Sequence, residues 1–362
     1  MRLGTCIAFE LAVAAGAASG VWFGASRGSE LAGAYLVNRE AAAATATFTP
    51  ARALVPLERA NLAIAPPVLA PDTVFGAPDS ELLAAIAATP VTRVKLNRGG
   101  TSLSLRLDFA SGARAAFKPL QVHPQSDPRR EIAAYRIDRL LGIGHVPPAK
   151  SAAFTVDELV AAIAPSGREA AASRIAEEAI AKHGTLYGEV SSWVWDIRSA
   201  RIEGHDIDAA EGQVVWSGYL QAGAALPAEL SSMLAQIATA ILFDVLIDNA
   251  DRWSGNNTRG SPDNRILYLM DNTLSFSPLT VGHAANLSKL HRIQVFPRGL
   301  VGKLRALTPE TIAAALGGED DLLGPLLTPV EIRAIIARRD RVIEYIDRLI
   351  TELGDPAVLA LP

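Results

Sequence analysis

The chain has 362 residues, of which 49% are hydrophobic and 20% are charged, so it can bury one large core or two lobes and is not disordered throughout. Its 38 acidic and 34 basic side chains give a net charge of -4, and no run of Lys and Arg alternates with aromatic residues, which argues against a nucleic-acid partner. The single cysteine, Cys6, excludes a disulfide framework and a thiolate metal site.

The first 27 residues predict a signal peptide or a membrane anchor. Residues 5–25 are mostly apolar, follow Arg2 and are interrupted only by Glu10. Either interpretation places the rest of the chain on the non-cytoplasmic side, exported or anchored at the membrane; a buried Ala-rich helix is the alternative. Residues 28–78 are rich in Ala and Pro without regular periodicity, which is typical of an extended linker. We therefore expect one folded domain over residues 79–362.

Three strands are predicted near the start of this domain, over residues 91–96, 103–109 and 114–118. In the second strand, apolar and polar residues alternate strictly, which is typical of an antiparallel sheet with one buried face. The same alternation places Lys118 on the face opposite Phe117.

A helix is predicted after these strands, with Asp127 as its N-cap, a proline in its first turn and its end at Gly142. This places Glu131 early on the helix. Residues 185–197 combine β-branched and aromatic side chains and predict a return to the sheet. Long apolar helices dominate from Pro227 onward, so a strand-rich first half meets a helix-rich second half.

Two polar clusters follow apolar elements in the second half. The segment LIDNADRWSGNN occupies residues 246–257, and Asp271 follows the apolar run ILYLM. Mg²⁺ prefers carboxylate and amide oxygens together with substrate phosphates, so Asp271 and Asn256 suit a cation site, while Asp251 remains free as a base or an orienting group. Taken singly, Asp251 and Asn256 are more typical of residues that cap turns. The clusters alone leave both interpretations open.

Lys118 and Glu131 are the partners that phosphoryl transfer would require in the first half of the chain. A strand lysine can neutralise the α and β phosphates, and a helix carboxylate can hold that lysine in place. Each residue alone is ordinary, because strand lysines are commonly solvated and acids are favoured in the first helical turn. The order along the chain, a glycine turn followed by Lys, Glu, Asp, Asn and Asp, predicts one nucleotide and metal site.

The same residues carry a family resemblance. The segments FKPL, EIAAYRIDRLLGIGHVPP, DNADRWSGNN and YLMDNTLSF, all within residues 91–276, resemble the secreted Golgi kinases of the four-jointed and casein-kinase type. More remotely they resemble HipA and the phosphatidylinositol 3-/4-kinase-like kinases. The resemblance implies an α+β, two-lobed protein-kinase-like fold. Its small N-lobe, about residues 79–190, would combine an antiparallel sheet with one helix, and its C-lobe, about residues 191–362, would be mainly helical.

For the N-lobe, the resemblance implies that Lys118 contacts the phosphates of ATP and that Glu131 pairs with Lys118. Gly99 and Gly100 would lie in the loop over the phosphates, although a Gly-Gly turn is also an ordinary hairpin signal. The strict glycine-loop pattern GxGxxG is missing from the sequence.

For the C-lobe, the resemblance implies that Asp251 is the catalytic aspartate and that Asn256 and Asp271 bind Mg²⁺ or Mn²⁺. The implied reaction transfers the γ-phosphoryl group of ATP to a hydroxyl of a protein or sugar acceptor. A phosphatidylinositol-type lipid kinase is one alternative. The other is a membrane-tethered pseudokinase that binds nucleotide and acts as a regulatory module.

Two positions depart from the family pattern. Trp253 stands two positions after Asp251, where the relatives typically have His, and Asn272 stands where conventional protein kinases have Phe. Trp253 neither accepts a proton nor binds a metal, which leaves the pseudokinase alternative open. Residues 187–193 are either the hinge whose backbone meets adenine or part of a core strand in which Trp193 and Trp195 are buried.

Three other kinds of site receive less support from the sequence. A phosphatase of the haloacid dehalogenase class needs a nucleophilic aspartate where this chain has Leu269. Asp244, Asp248 and Asp251 would share one helical face as a metal site only if the helix continued past Asp248. The six histidines show no paired helical spacing of the kind found in zinc hydrolases.

Overall fold

The computed structural model describes residues 74–86, 90–97, 101–254, 257–317 and 322–362. The predicted anchor or signal peptide, the linker up to residue 73, Gly99, Gly100 and Asn256 lie outside the described residues. The described residues form eleven helices and eleven strands, beginning with helix α1 (Asp79–Ala85).

A six-stranded antiparallel sheet forms the first part of the domain, in the order β1-β2-β3-β6-β4 with β5 paired to β6. Its strands are β1 (Val91–Leu96), β2 (Leu105–Phe109), β3 (Arg114–Pro119), β4 (Ala149–Thr155), β5 (Ala181–Lys182) and β6 (Thr185–Ser192). The strand β2 begins two residues later than predicted. Leu103 instead bonds the Gln121 side chain, with its N–H donating to Oε1 (2.7 Å) and its carbonyl accepting from Nε2 (3.0 Å).

Two helices, α3 (Val156–Ala161) and α4 (Pro165–Glu178), cover one face of this sheet. Leu159 and Ile175 on these helices are buried in one cluster with apolar side chains of the strands, including Leu107. The strand periodicity turns the alternate side chains, among them Lys118, to the opposite face. That face is therefore the one that can line a cleft.

Helix α2 (Pro128–Leu141) begins and ends where the sequence predicts. The Asp127 carboxylate accepts from the Arg129 N–H (3.1 Å), and Gly142 takes the left-handed conformation that ends many helices, with φ of 68°. The buried side chains of α2, such as Ile132 and Ile137, belong to the larger core formed with the C-terminal helices. Helix α2 therefore lies where the sheet meets the helical part.

The rest of the domain is mainly helical, with short strand pairs at its edge. Its helices are α5 (Ala210–Tyr219), α6 (Ala228–Ile247), α7 (Ala284–Leu290), α8 (Arg298–Ala306), α9 (Pro309–Leu316), α10 (Pro329–Leu353) and α11 (Asp355–Val358). Its strands are β7 (Arg198–Ser199), β8 (Arg201–Ile202), β9 (His205–Asp206), β10 (Arg259–Gly260) and β11 (Leu267–Tyr268). Strand β10 pairs with β7 and β11, and β8 pairs with β9.

Helix α6 is the central helix of this larger core. Among the described residues it alone has the length and mean hydropathy, 1.9, of a membrane-spanning helix, but two thirds of its apolar window is buried in the protein, as in a soluble core helix. The helix ends at Asp248, which is left-handed with φ of 59°. The predicted catalytic segment follows directly after this end of the helix.

Candidate active site

Lys118 connects the two parts of the candidate site. Its Nζ lies 2.7 Å from Oε1 of Glu131 and 2.8 Å from Oδ1 of Asp271. Lys118 projects from β3, Glu131 from the first turn of α2 and Asp271 from the loop after β11. The structure thus brings together three residues that the sequence singled out, although 153 positions separate Lys118 from Asp271.

The charges of these three residues stabilise one another. Burial opposes the protonated form of Lys118, but attraction to Asp271 and Glu131 outweighs burial and raises the pKa of the lysine. Lys118 is in turn the main cause that lowers the pKa of Asp271. Asp271 is therefore a carboxylate at neutral pH, and its side chain is 54% exposed. An ionised, accessible carboxylate is what a divalent cation requires.

Asn249 connects the two predicted aspartates. Its Nδ2 donates to the backbone carbonyl of Asp271 (3.2 Å), and its Oδ1 accepts from the backbone N–H of Asp251 (3.0 Å). Asp271 has φ of 57°, a left-handed conformation that is uncommon outside glycine and needs support from its surroundings. The buried Asn249 amide supplies part of that support and fixes the two loops relative to each other.

Asp251 lies in a tight turn after α6. Its Oδ1 accepts from the Ser254 hydroxyl (2.6 Å) and its Oδ2 from Nδ2 of Asn257 (2.8 Å). The Asp251 carbonyl also accepts from the Ser254 N–H (3.1 Å), so this residue does cap a turn. A carboxylate has about four lone-pair positions, so both oxygens retain room for a second donor such as a substrate hydroxyl.

A cavity of about 220 Å³ lies beside Lys118. Four ionisable side chains line its polar end, namely Lys118, Glu131, Glu189 and Asp271, and much of the remaining wall is apolar, with Ala116, Val146, Pro147, Ala149, Ile197 and Met270. The end of β6 and the residues just beyond it, 191–194, also line the cavity, so the predicted hinge segment forms part of its wall. Trp195 is 56% exposed, and the interpretation of this residue as part of the core is wrong.

No family model matches the chain. A glycosaminoglycan xylosylkinase from Danio rerio is 23% identical over 313 residues, which cover 77% of this chain and 76% of that protein. The glycosaminoglycan xylosylkinase of Homo sapiens is 22% identical over 310 residues and covers 76% of both chains.

Solved structures agree with these sequence relatives. A Golgi casein kinase superposes with a TM-score of 0.58 at 16% identity, covering 78% of each chain, and a form of it with Mn/ADP bound gives 0.57. The hydra Fam20 structure with sugar gives 0.53 at 18% identity, covering 76% of this chain and 90% of that one. The chain is thus similar in sequence to the two xylosylkinases and in fold to the Golgi casein kinase. The resemblance and the two-lobed α+β kinase-like fold expected from it are thereby confirmed.

Trp253, the first departure from the pattern of the secreted Golgi kinases, is a core residue. It is buried, its Nε1 donates to Oδ2 of Asp244 (2.9 Å), and its ring packs on that of Trp216 with centroids 5.9 Å apart. The described residues that line the cavity do not include Trp253. Its indole therefore stabilises the segment behind Asp251 and gives no specific support to the pseudokinase alternative.

Asn272, the second departure, connects a buried ion pair to Glu131. Arg252 donates through Nε to both oxygens of Asp244 (2.8 and 2.9 Å), through Nη1 to the Met270 carbonyl (2.7 Å), and through Nη2 to Oδ1 of Asn272 (2.7 Å). Nδ2 of Asn272 donates to Oε2 of Glu131 (3.2 Å). A phenylalanine makes none of these hydrogen bonds, so the amide gives this site a polar link between the catalytic segment and helix α2.

The three carboxylates of the alternative metal site have separate partners. Asp244 binds Arg252, and Oδ1 of Asp248 lies 3.0 Å from Nδ1 of His283, whereas Asp251 bonds within its own turn. The described residues contain no group of three His, Cys, Asp or Glu side chains placed to hold a metal. A metal site at this helix end has no support there.

Sequence reasoning missed Asn249, Arg252 and Glu189. Asn249 and Arg252 were part of the quoted cluster but received no role, because nothing in the sequence indicates that Arg252 reaches back eight positions to Asp244. Glu189 had a usable signal, since it is the one charged residue in the first ten positions of a predicted strand, between Gly188 and Val190. A buried acid at such a position commonly marks a functional site.

Proposed function

We propose that this chain is a metal-dependent kinase that transfers the γ-phosphoryl group of ATP to a hydroxyl of a sugar or protein acceptor. The observation that carries the proposal is Lys118 between Glu131 and Asp271 at the polar end of the cavity. A cavity with charged groups at one end and apolar walls elsewhere suits a nucleotide, whose phosphates and base need these two surroundings. The two curated relatives named as xylosylkinases and the similar structure with Mn/ADP bound give further support.

Phosphoryl transfer depends on positioning and charge stabilisation more than on covalent chemistry by the protein. In the proposed mechanism Lys118 neutralises the phosphates, and Glu131 fixes the ammonium that does so. Asp251 orients or deprotonates the acceptor hydroxyl, while Ser254 and Asn257 hold its carboxylate in one orientation. Asp251 accepts the hydroxyl proton as the hydroxyl oxygen bonds the γ-phosphorus and ADP leaves.

Asp271 and Asn256 are the residues proposed to hold Mg²⁺ or Mn²⁺. Asp271 fits this role because its pKa is lowered by Lys118 and its side chain is half exposed. Two protein ligands suffice for such a site, since Mg²⁺ usually completes its coordination with substrate phosphates and water. A cation held there would supply positive charge that offsets the negative charge of the phosphates.

A sugar hydroxyl is the first acceptor to test, because both curated relatives are named xylosylkinases. A protein hydroxyl is the second, because a similar solved structure is a Golgi casein kinase. The apolar residues 5–25 favour export or anchoring, so the proposed place of action is the non-cytoplasmic side of a membrane.

The purified full chain, supplied with ATP and Mg²⁺ or Mn²⁺, should transfer phosphate to a xylose-containing glycan or to casein. Asp251→Ala should abolish turnover and leave ATP affinity within about threefold, because Asp251 acts on the acceptor whereas Lys118 and the metal hold ATP. Asp271→Ala should remove metal-dependent ATP binding. Radiolabel transfer and calorimetric titration with metal–ATP measure the two quantities.

Asp263→Ala is the matched control, since Asp263 is exposed and its hydrogen bonds among the described residues are to Ser261 and Arg265 in its own turn. Its turnover and ATP affinity should equal those of the unmodified chain. Failure to bind metal–ATP would refute the proposed kinase. Binding of ATP without transfer to either acceptor, unchanged by Asp251→Ala, would support the pseudokinase instead.

A further inference from the structure

Glu189 is a buried carboxyl in the wall of the cavity. It lies on β6, it is 1% exposed, and no donor among the described residues bonds either Oε1 or Oε2 with ordinary geometry. Burying a polar group without a hydrogen bond is costly, and an apolar residue would fill the same space without that cost. Neither carboxyl oxygen therefore has a well-formed hydrogen bond among the described residues.

The sheet register places Glu189 beside Lys118. The two residues are directly paired across β3 and β6, so both side chains leave the same face of the sheet and line the same cavity. Side chains paired in this way have Cβ atoms about 4.5–5.5 Å apart. Both side chains are long enough to meet across such a pair.

Lys118 has donor capacity for this contact. An ammonium carries three protons, and the hydrogen bonds to Glu131 and Asp271 account for two of them. Under the proposed function Asp271 would bind the metal. Its hydrogen bond with Lys118 would then be weaker than in the protein alone. The Lys118 ammonium would then have at least one N–H group without a strong acceptor on the protein.

The charges around Glu189 determine its protonation state. Burial, and next the negative charge of Glu131, raise the pKa of Glu189 to about 8, while Lys118 opposes this rise. Glu189 is thus mostly neutral at pH 7, and a neutral carboxyl does not repel phosphates. Glu131 on α2, Asp271 after β11, Lys118 on β3 and Ser191 on β6 are the groups that act on it.

We propose that Glu189 is a positioning residue for Lys118, a second carboxyl partner that holds the ammonium against the nucleotide phosphates when Asp271 no longer accepts its hydrogen bond. This inference rests on the proposed function. Glu189 acts through Lys118 and does not itself contact the transferring group. Its removal should therefore weaken nucleotide binding only while Lys118 is present.

The test compares the affinity of metal–ATP for the full chain and five variants by calorimetric titration. Glu189→Leu should weaken binding about tenfold, because a hydrogen bond to a charged group is lost. Glu189→Gln should stay within about threefold of the unmodified chain, since its amide oxygen still accepts from Lys118. In a Lys118→Met background, Glu189→Leu should cause no additional loss, as a double-mutant cycle requires for a residue that acts through another. Glu169→Leu, at an exposed helix position, is the control for the substitution itself.

The inference is overturned if Glu189→Leu binds metal–ATP as the unmodified chain does, or if its loss persists in full without Lys118. If the leucine variant does not fold, as judged by its thermal transition, Glu189→Met is measured against the same two criteria. An unmodified chain that does not bind metal–ATP refutes the proposed function and this inference together. Normal binding that is lost in Asp271→Ala but unaffected by Glu189→Leu refutes the inference alone.

Discussion

Two groups of buried polar side chains near the cleft differ in how their hydrogen bonds are satisfied. In the helical part, Arg252 donates to Asp244, Met270 and Asn272, and Trp253 donates to the same Asp244 carboxylate. In the sheet, Glu189 lines the cavity, and neither of its oxygens has a well-formed hydrogen bond among the described residues. The Arg252 network is therefore satisfied within the protein, whereas Glu189 is not. Substitutions in the Arg252 network should change stability, and substitution of Glu189 should change ligand binding.

The largest effect is expected for Arg252→Ala. Asp244 is 1% exposed, and removal of Arg252 leaves its carboxylate buried without its charge partner, which costs about 3–5 kcal/mol of unfolding free energy. Denaturant unfolding of the full chain measures this change. Arg298→Ala, which breaks the exposed ion pair with Asp355, should give no measurable loss. Equal stability of both variants would mean that the buried Asp244–Arg252 pair does not stabilise the fold.

A smaller loss is expected for Trp253→Phe. The substitution keeps an aromatic ring against Trp216 but removes the 2.9 Å hydrogen bond to Asp244, which should cost about 1–3 kcal/mol because the acceptor is buried. Turnover measured well below the melting temperature should stay within about threefold of the unmodified chain. A large loss of turnover without a loss of stability would show that Trp253 contributes to the chemistry.

The third effect is a pH-dependent change in Glu189→Gln. Because the pKa of Glu189 rises from an ordinary 4.5 to about 8, the folded chain retains a proton that the unfolded chain has lost, so this group's contribution to stability falls between pH 5 and pH 8. Glutamine has no such dependence. The melting temperature of Glu189→Gln relative to the unmodified chain should therefore rise by several degrees from pH 5 to pH 8 and then level off.

Thermal scans without metal or nucleotide, at pH 5 to 9, measure that difference. Glu169→Gln, an exposed glutamate on α4, is the matched control and should track the unmodified chain at every pH. A Glu189→Gln curve parallel to that of the unmodified chain would mean that the buried acid already has a partner.

The local elements were predictable because their signals are local. Alternation over residues 105–109 and the cap pair Asp127 and Gly142 set the strand and helix bounds to within two residues. The start of β2 was missed because Gln121, eighteen positions away, takes the place of a strand partner for Leu103. The packing of α2 into the larger core also depends on distant segments that no window of sequence contains.

The order of charged residues was enough to propose that Lys118, Glu131 and Asp271 meet, because a strand lysine and a helix acid in one lobe have few ways to approach a later aspartate. The meaning of Trp253 was not predictable, since only the fold shows that its indole points to Asp244. The position of Glu189 beside Lys118 was not predictable either. It depends on the pairing of β6 with β3, which are separated in the sequence by helices and other strands.

Helix α2 is fastened to its surroundings along its whole length. Near its start Arg130 donates to the Ser275 carbonyl, and at its middle Arg136 donates to the Leu316 carbonyl (2.7 Å). Near its end Asp138 accepts from the Gly144 N–H (2.9 Å), and Arg139 donates to Asp79 (2.6 Å). Many protein kinases are switched on by a helix in this position, which swings inward and forms the Lys–Glu pair. Here the pair exists in the unmodified chain, so we expect output to follow the supply of nucleotide, metal and acceptor, without an activating phosphorylation.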